Sequence, residues 1–386
     1  MINLPPQSAI RNFTLIISDI TDEILHKSQQ DAFIETFEIF EDSSLPCMCA
    51  KLIMRDPINF SSKITYETVF TLYMEDLYEN YFFRMFEIYE IHTNPVSNNE
   101  KIVEFKLMDS VFLAALKQFK RSSYTNIKTS EVLKKFLAEH QGEIDNQHLE
   151  VIIEDTIIVH ETIIVPGNRN FLDFIYYKLL EEGYLLYQTK RGIYCKKSES
   201  LVPSKQEDFE YKLVDVVLND YYKGNILAWD VVSDGNKSVQ ELTPANITKA
   251  WDKDIKEFQT YVQNYDDLYT QMKLGDLDNS PSQNNIGKNL QTTQVLNDHG
   301  TYCKTFFAYI NNVSLRVALA GDSSMRLFHL VEIDVHEEAI TAKTRNEGSQ
   351  KYSGKYMVTN IIDKIDSSSN YSQLIGLSRS NLQTDY

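Results

Sequence analysis

Apolar and polar residues alternate over most of this chain, most clearly near its C-terminal end. Residues 325–335 place Leu327, Val331, Ile333 and Val335 on one face and Arg326, Glu332 and Asp334 on the other, the period of a half-buried strand. Two more strands are expected at 354–364 and 371–378. The run at 365–370 that joins them, rich in Asp, Ser and Asn, offers turn chemistry and little else. The pair forms a hairpin whose last strand groups Tyr371, Ile375 and Leu377.

The same grammar occurs early in the chain. Residues 68–74 predict a strand, 82–92 a long one, and 102–108 a third with Val103, Phe105 and Leu107 on one face. Between the last two lies a polar connection at 93–101 that holds Pro95, Asn98 and Asn99. Strands at 13–18, 32–40 and 49–54 precede them, so the first unit is all β and closes near residue 115. The repeat is one of pattern rather than of residue identity.

The period changes in the middle. Thr129 is placed to cap a helix carrying Val132, Leu133, Phe136 and Leu137, with Gly142 beyond its end. Strands are expected at 150–153 and 156–165. A second helix begins after Asn170, uses Phe171, Leu172, Ile175, Tyr176 and Leu179, and ends at Gly183. A hairpin follows, 184–188 and 193–197, turning through Thr189-Lys190-Arg191-Gly192, where Gly192 is available for positive φ. A polar linker at 201–208 leads to strands at 209–218 and 225–232. After Thr243-Pro244, apolar residues at Ile247, Trp251, Ile255, Phe258, Val262 and Tyr265 recur at helical spacing and predict the longest helix. Residues 273–299 are a polar loop, and strands within 305–319 lead into the C-terminal set. The predicted architecture is mainly β with α+β insertions: two antiparallel tube-type β-barrels bracketing a small α+β domain. Its domains are 1–115, the first barrel; 116–200, the α+β domain; 201–242 with 304–386, the second barrel; and 243–303, a helical and loop insertion.

Composition narrows the function classes. At 386 residues the chain holds several domains, and 23 Tyr and 20 Phe against 13 Gly suit strands with aromatic cross-strand contacts. A formal charge of −17 argues against general affinity for phosphate backbones. An acidic wall does suit a passage that DNA must traverse without adhering. The N-terminus lacks the basic and apolar regions of a signal peptide, and no stretch is apolar enough to cross a membrane, so no membrane insertion is expected. The four cysteines, Cys47, Cys49, Cys195 and Cys303, suggest a reducing compartment without a disulfide framework.

Candidate chemistry fails at specific positions. His160-Glu161 and His336-Glu337 open like a zinc-protease helix, but Ile164 and Ile340 occupy the place of the second ligand. Asp276-Leu277-Asp278-Asn279-Ser280 begins like a calcium loop until Pro281 replaces the flexible glycine and Gly287 the bidentate Glu. Gly321-Asp322-Ser323-Ser324 lacks the strand-to-helix elbow of a nucleophile and is expected as a polar turn. Cys47 and Cys49 without a further ligand pair are expected as ordinary thiols. No catalytic residue, metal or cofactor is assigned. Any two of 55 acidic residues could form a hydrolytic pair in space, so a tail-associated glycan hydrolase stays open, as does a carbohydrate-binding module.

The order of parts, with Ser353-Gly354-Lys355-Tyr356-Met357-Val358 opening one late strand and Tyr371-Ser372-Gln373-Leu374-Ile375-Gly376-Leu377-Ser378-Arg379 forming another, resembles the baseplate hub proteins of contractile-tailed bacteriophages. Their relatives include the N-terminal part of the type VI secretion spike. The likeness spans nearly the whole chain, although its motifs are short and the 243–303 insertion has no counterpart in the family. The resemblance implies a non-enzymatic structural protein of the virion tail baseplate, assembled in the host cytoplasm. It implies a homotrimer whose barrels form a ring that joins the six-fold tail tube to the three-fold central spike. It also implies contacts with tape-measure and baseplate wedge proteins, and DNA only as passing cargo. Trp251, Phe258, Tyr356 and Tyr371 are the candidate partner-interface residues.

Overall fold

The structure is a computed structural model that describes residues 10–18, 34–56, 60–76, 79–97, 100–201, 211–215, 225–231, 247–252, 257–262, 313–334, 354–367 and 370–378. The first unit contains β1 (Asn12–Ile17), β2 (Ile34–Asp42), β3 (Cys49–Asp56), β4 (Val69–Glu75), β5 (Tyr81–Ser97) and β6 (Glu100–Asp109). A middle unit follows with α1 (Ser110–Lys117), β7 (Ser122–Lys128), α2 (Thr129–Glu139), α3 (Gln141–Asn146), β8 (Glu150–Ile153), β9 (Val159–Val165), α4 (Phe171–Glu181), β10 (Tyr184–Gln188) and β11 (Gly192–Lys197). The last part contains β12 (Tyr211–Asp215), β13 (Asn225–Val231), β14 (Ile247–Asp252), β15 (Glu257–Val262), β16 (Val313–Ala320), β17 (Leu330–Asp334), β18 (Gly354–Asp366) and β19 (Tyr371–Ser378).

Both ends of the chain meet in one 12-stranded sheet of order β1-β4-β5-β6-β3-β2-β18-β17-β12-β13-β16-β19, and β18 also bonds to β19. The first unit thus runs β1-β4-β5-β6-β3-β2. Traced through the β18–β19 pairing, the last part runs β12-β17-β18-β19-β16-β13, which is the same order of successive strands. The agreement extends to individual residues. Glu87 faces Met108 as Met357 faces Ser378, and Thr93 faces Val103 as Asp363 faces Gln373. Both hairpins shift register at the same place, between Ile88 and Glu90 and between Val358 and Asn360. Likewise Phe37 faces Leu52 as Trp229 faces Val317, with register shifts between Ile34 and Thr36 and between Ile226 and Ala228. The repeat fails at one strand. β1 is antiparallel to β4, whereas β12 is parallel to both β17 and β13, so the expectation of purely antiparallel sheets does not hold there.

Three clusters of buried side chains follow this division. Phe13, Phe37, Phe70, Phe86 and Phe105 fill the first unit, and Leu315, Val317, Ile361, Ile375 and Leu377 the last. The middle unit packs α1, α2 and α4 on its small sheets through Val111, Phe136, Phe171 and Leu179. The clusters interlock. Ile365 and Tyr371 belong to the first unit's core, and Tyr187 and Tyr194 of the middle unit to the last, with Tyr187 edge-on to Phe328 at 4.8 Å.

Several elements differ from expectation, each for a local reason. The predicted long helix after residue 243 is instead the hairpin β14–β15, in which Trp251 faces Phe258. Ile247, Thr248, Thr260, Tyr261 and Val262 favour extended backbone, and that preference prevails over the helical spacing. Residues 325–329 are irregular with a turn at Leu327 and Phe328, leaving a strand only from Leu330. Phe328 (φ 66°) donates to the Val358 carbonyl, and Val358 donates back to His329, which folds this segment over β18. β5 continues to Ser97, through what the polar composition predicts to be a connection. Thr129 sits inside α2 instead of capping it, because its hydroxyl points inward to the Glu182 carboxylate, and the Glu131 side chain accepts from Lys128 N at 2.9 Å. Gly142 lies in α3 rather than at the end of α2. Gly192 is needed for space and not for positive φ, since a Cβ there would fall 2.1 Å from the Glu150 carbonyl oxygen. Gly183, at φ 88°, does terminate α4 in the left-handed region. The strands placed at 305–312, the cap at Thr243-Pro244 and the loop at 273–299 lie outside the described residues.

Candidate functional site

The residues that join the parts of the molecule form the site with the most developed geometry. β18 is long, and two strands share one of its edges. Its first residues pair with β17, and Asn360 to Asp366 pair antiparallel with Asp42 to Thr36 of β2. This seam makes one sheet from the two copies of the pattern.

Behind the seam lies a buried charged cluster drawn from all three units. Lys190, in the β10–β11 turn, places Nζ 2.6 Å from Asp363 Oδ2 and 3.1 Å from Glu41 Oε1, and its backbone N–H donates to Glu41 Oε2 at 3.2 Å. Asp363 Oδ1 also accepts from the Tyr371 hydroxyl at 2.7 Å and from Gln373 Nε2 at 2.6 Å. Burial alone would lower the Lys190 pKa, but the two carboxylates outweigh it and hold the ammonium above its ordinary range. Burial pushes Glu41 up, with Lys190 opposing. Beside this cluster, Arg84 of β5 is wholly buried and donates to backbone carbonyls of Phe83, Thr189 and Lys190, so burial lowers it to about 10. Asp109, at the end of β6, caps α1 by accepting from Val111 N at 3.0 Å, and burial raises it to about 6. A second link joins the first unit to the last: Ser323 N and Oγ donate to Asp76 Oδ2 at 3.0 and 2.6 Å.

The residues singled out in the sequence fall in different places. Tyr356 and Tyr371 are inside the chain, 0% and 1% exposed, one in each end unit's core. Trp251 and Phe258 are cross-strand partners in β14–β15 and lie on no helix. His160 is on β9, as its β-branched neighbours suggest, with Nε2 2.8 Å from Glu182 Oε1. His336 and the 276–287 loop lie outside the described residues, as does Cys303. Among the described residues no cluster of three or more His, Cys, Asp or Glu could hold a metal ion, and none of Cys47, Cys49 and Cys195 is in a disulfide. A surface cleft lined by Tyr81, Arg84, Gln147 and Arg191 also holds the carboxylates Glu79 and Glu150, and both are engaged. Arg11 donates to Glu79 and the Tyr194 hydroxyl to Glu150, each at 2.9 Å. The sequence signals pass over Glu41, Arg84, Lys190 and Asp363 entirely. A charged residue at an inward-facing position of a strand, as at Asp363 between Ile361 and Ile365, is the one hint available.

No family model matches the sequence, and no curated protein matches it either. Solved structures do match the fold over nearly its full length. The 43 kDa tail protein of prophage MuSo2 from Shewanella oneidensis superposes with a TM-score of 0.52 at 8% identity, over 96% of this chain and 99% of that one. A tail protein from Neisseria meningitidis MC58 gives a TM-score of 0.56 at 8% identity, over 97% and 98%. A component of the type VI secretion system from E. coli matches with a TM-score of 0.46 at 12% identity, over 96% and 77%. The fold assignment rests on the first two of these. By its tertiary structure, this chain has the fold of phage tail proteins.

Proposed function

We propose that this protein is a structural baseplate hub of a contractile phage tail. Three copies form a ring in which each contributes two strand-repeat units, giving an approximate six-fold arrangement that meets the tail tube on one side and a three-fold spike on the other. The observation that carries this reading is the duplicated strand order with its matched register shifts. One polypeptide that presents the same sheet twice lets a three-fold assembly imitate a six-fold one. Each unit is proposed as a barrel, supported in the last unit by pairings that run from β18 through β17, β12, β13, β16 and β19 and back to β18. The likeness to phage tail proteins is the second support.

The ring encloses a passage for DNA, and the charge of −17 keeps that passage from holding its cargo. The partners proposed are the tube and spike proteins, with tape-measure and wedge proteins at the periphery, and Trp251 and Phe258 of the β14–β15 hairpin as a contact toward them. The protein then acts in the virion tail and performs no catalysis. Native mass measurement of the full chain, alone and with a candidate spike protein, tests the reading. A trimer, or a three-to-three complex with the spike, is expected. A chain that remains a monomer and does not bind the spike overturns it.

A further inference from the structure

Asp363 sits on β18 at the seam between the end units, and its two carboxyl oxygens have different surroundings. Oδ2 faces the Lys190 ammonium, with Nζ 2.6 Å away. Oδ1 accepts two hydrogen bonds, from the Tyr371 hydroxyl at 2.7 Å and from Gln373 Nε2 at 2.6 Å. Both donors are held in place. The Asp322 N–H donates to Gln373 Oε1 at 3.1 Å, which turns the amide nitrogen toward Asp363. Gly321 leaves room for the Tyr371 ring, since a Cβ there would fall 2.0 Å from it. Burial, with the Asp363 carboxylate beside it, raises the Tyr371 pKa well above its ordinary value, so the phenol stays a donor. Glu41 completes the group. Its Oε1 lies 3.1 Å from Lys190 Nζ and, among the described residues, has no other hydrogen-bond partner. The side chains of Lys190, Glu41 and Asp363 are 3%, 0% and 0% exposed, so the site is closed to bulk solvent.

An ion pair needs only opposite charges and partners for the remaining lone pairs. This cluster has more: an amine against one carboxyl oxygen, two donors on the other, and a second carboxylate in reach of the amine. Acyl transfer to an amine requires that arrangement.

We propose that Lys190 and Asp363 condense into an isopeptide bond between Nζ and Cγ, with Glu41 as the proton carrier and Tyr371 and Gln373 as the oxyanion donors. Nζ first passes one proton along its contact to Oδ2, which leaves an amine facing a carboxylic acid. A nitrogen in contact with one carboxyl oxygen is close to the roughly 3–3.5 Å from which attack on the carboxyl carbon proceeds. The amine lone pair forms the N–C bond, and the π pair of the carbonyl moves to Oδ1, where Tyr371 and Gln373 hold it. Glu41 Oε1 takes a second proton from the nitrogen and hands it to Oδ2. The electron pair on Oδ1 then returns to carbon, the bond from Cγ to Oδ2 breaks, and Oδ2 leaves as water. One ammonium and one carboxylate become one amide and one water, and Glu41 is restored. The reaction is a single self-modification without turnover.

Opposing effects set its rate. Burial favours the neutral amine, but the two carboxylates outweigh it and hold Lys190 above its ordinary range, so the amine is scarce and the step slow. Against this, groups held in contact reach effective molarities of about 10⁵–10⁸ M. Amide formation also removes a buried charge pair whose desolvation is costly. The product fastens the β10–β11 turn to the seam strand, between positions 173 residues apart. It forms within one chain, so the ring reading stands or falls separately.

Intact mass of the full-length chain, folded during incubation and denatured for measurement, tests the proposal together with tryptic mapping. Protein is measured when freshly purified and after prolonged incubation. A mass lower by one water, and a branched peptide joining the segments of Lys190 and Asp363, are expected. Glu41→Gln keeps the reacting pair and is expected to slow bond formation about a hundredfold. Lys190→Arg keeps a cation that does not deprotonate, and is expected to stay at full mass. Both variants are compared with the parent by circular dichroism, and the parent result does not depend on them. A parent chain that keeps its full mass throughout overturns the proposal. So does a deficit of one water without the branched peptide, the mark of a cyclic imide at an aspartate. Equal rates in the parent and in Glu41→Gln overturn the role given to Glu41.

Discussion

The first and last units place the same strands in the same order and share two register shifts, yet fill them with different residues. Phe86 stands where Tyr356 does, Phe105 where Ile375 does, and Phe37 where Trp229 does. The first core is built on phenylalanine rings, with Phe13 against Phe37 at 6.0 Å and Phe70 against Phe105 at 5.7 Å, and the last on aliphatic side chains. Sheet register depends on which positions face inward and on where an extra residue interrupts the ladder, so two units with little residue identity keep one geometry. They part where neighbours intervene. β18 bears the charged cluster and the seam, while the corresponding part of β5 faces outward.

That asymmetry can be broken most severely at Lys190. Lys190→Ala leaves Glu41 and Asp363 buried without their cation, and a loss of about 3–5 kcal/mol of unfolding free energy is expected, measured by urea titration. The loss couples all three units, so fluorescence and circular dichroism transitions are expected to move together. A stability within error of the parent would mean that the cluster is solvated and does not fasten the units.

Asp109 gives the next effect, as a dependence on pH. Its folded pKa of about 6 lies above the usual 3.8, so between these values the folded chain holds the proton more tightly than the unfolded one. Its contribution is therefore favourable at low pH and is lost as pH rises through about 6, on the order of 3 kcal/mol in all. Asp109→Asn keeps an acceptor for Val111 N and removes the titration. The stability of this variant relative to the parent is expected to increase from pH 4 to pH 6 and then level off. A constant difference across that range contradicts the assignment.

A smaller contrast lies at one matched position. Gly376 stands where Lys106 does, and a Cβ on Gly376 would fall 2.1 Å from Asn360 Oδ1. Gly376→Ala is expected to destabilise by about 1–3 kcal/mol through overpacking. Asn360→Ala in the same chain should recover most of that loss, which thermal unfolding reads directly. At the equivalent place Lys106 spans the surface to Glu90 Oε2 at 2.7 Å, and Lys106→Ala is expected to leave the unfolding midpoint unchanged.

Much of this molecule was legible because strand signals are local. Alternating apolar positions mark β19 at its observed bounds, and the boundaries of β8 and β10 are likewise those expected. The structure departs from the local pattern where two local signals compete. Ile247, Trp251, Ile255 and Phe258 keep a helical spacing, while the β-branched and aromatic residues among them favour the strands that form. α1 was missed because its run of Val111, Phe112, Leu113, Ala114 and Ala115 directly continues a strand and its capping aspartate is also that strand's last residue.

The alternation of side chains and the placement of turns determined by themselves that this would be a mainly β protein with a repeated hairpin plan around an α+β centre. Only the tertiary structure decided that β18 would serve both units and that Glu41, Lys190 and Asp363 would share one buried site. The physical reason is range. Periodicity is set by neighbours a few residues apart, whereas strand partners and buried charge pairs join residues far apart in the chain, and their stability exists only once the sheet has closed around them.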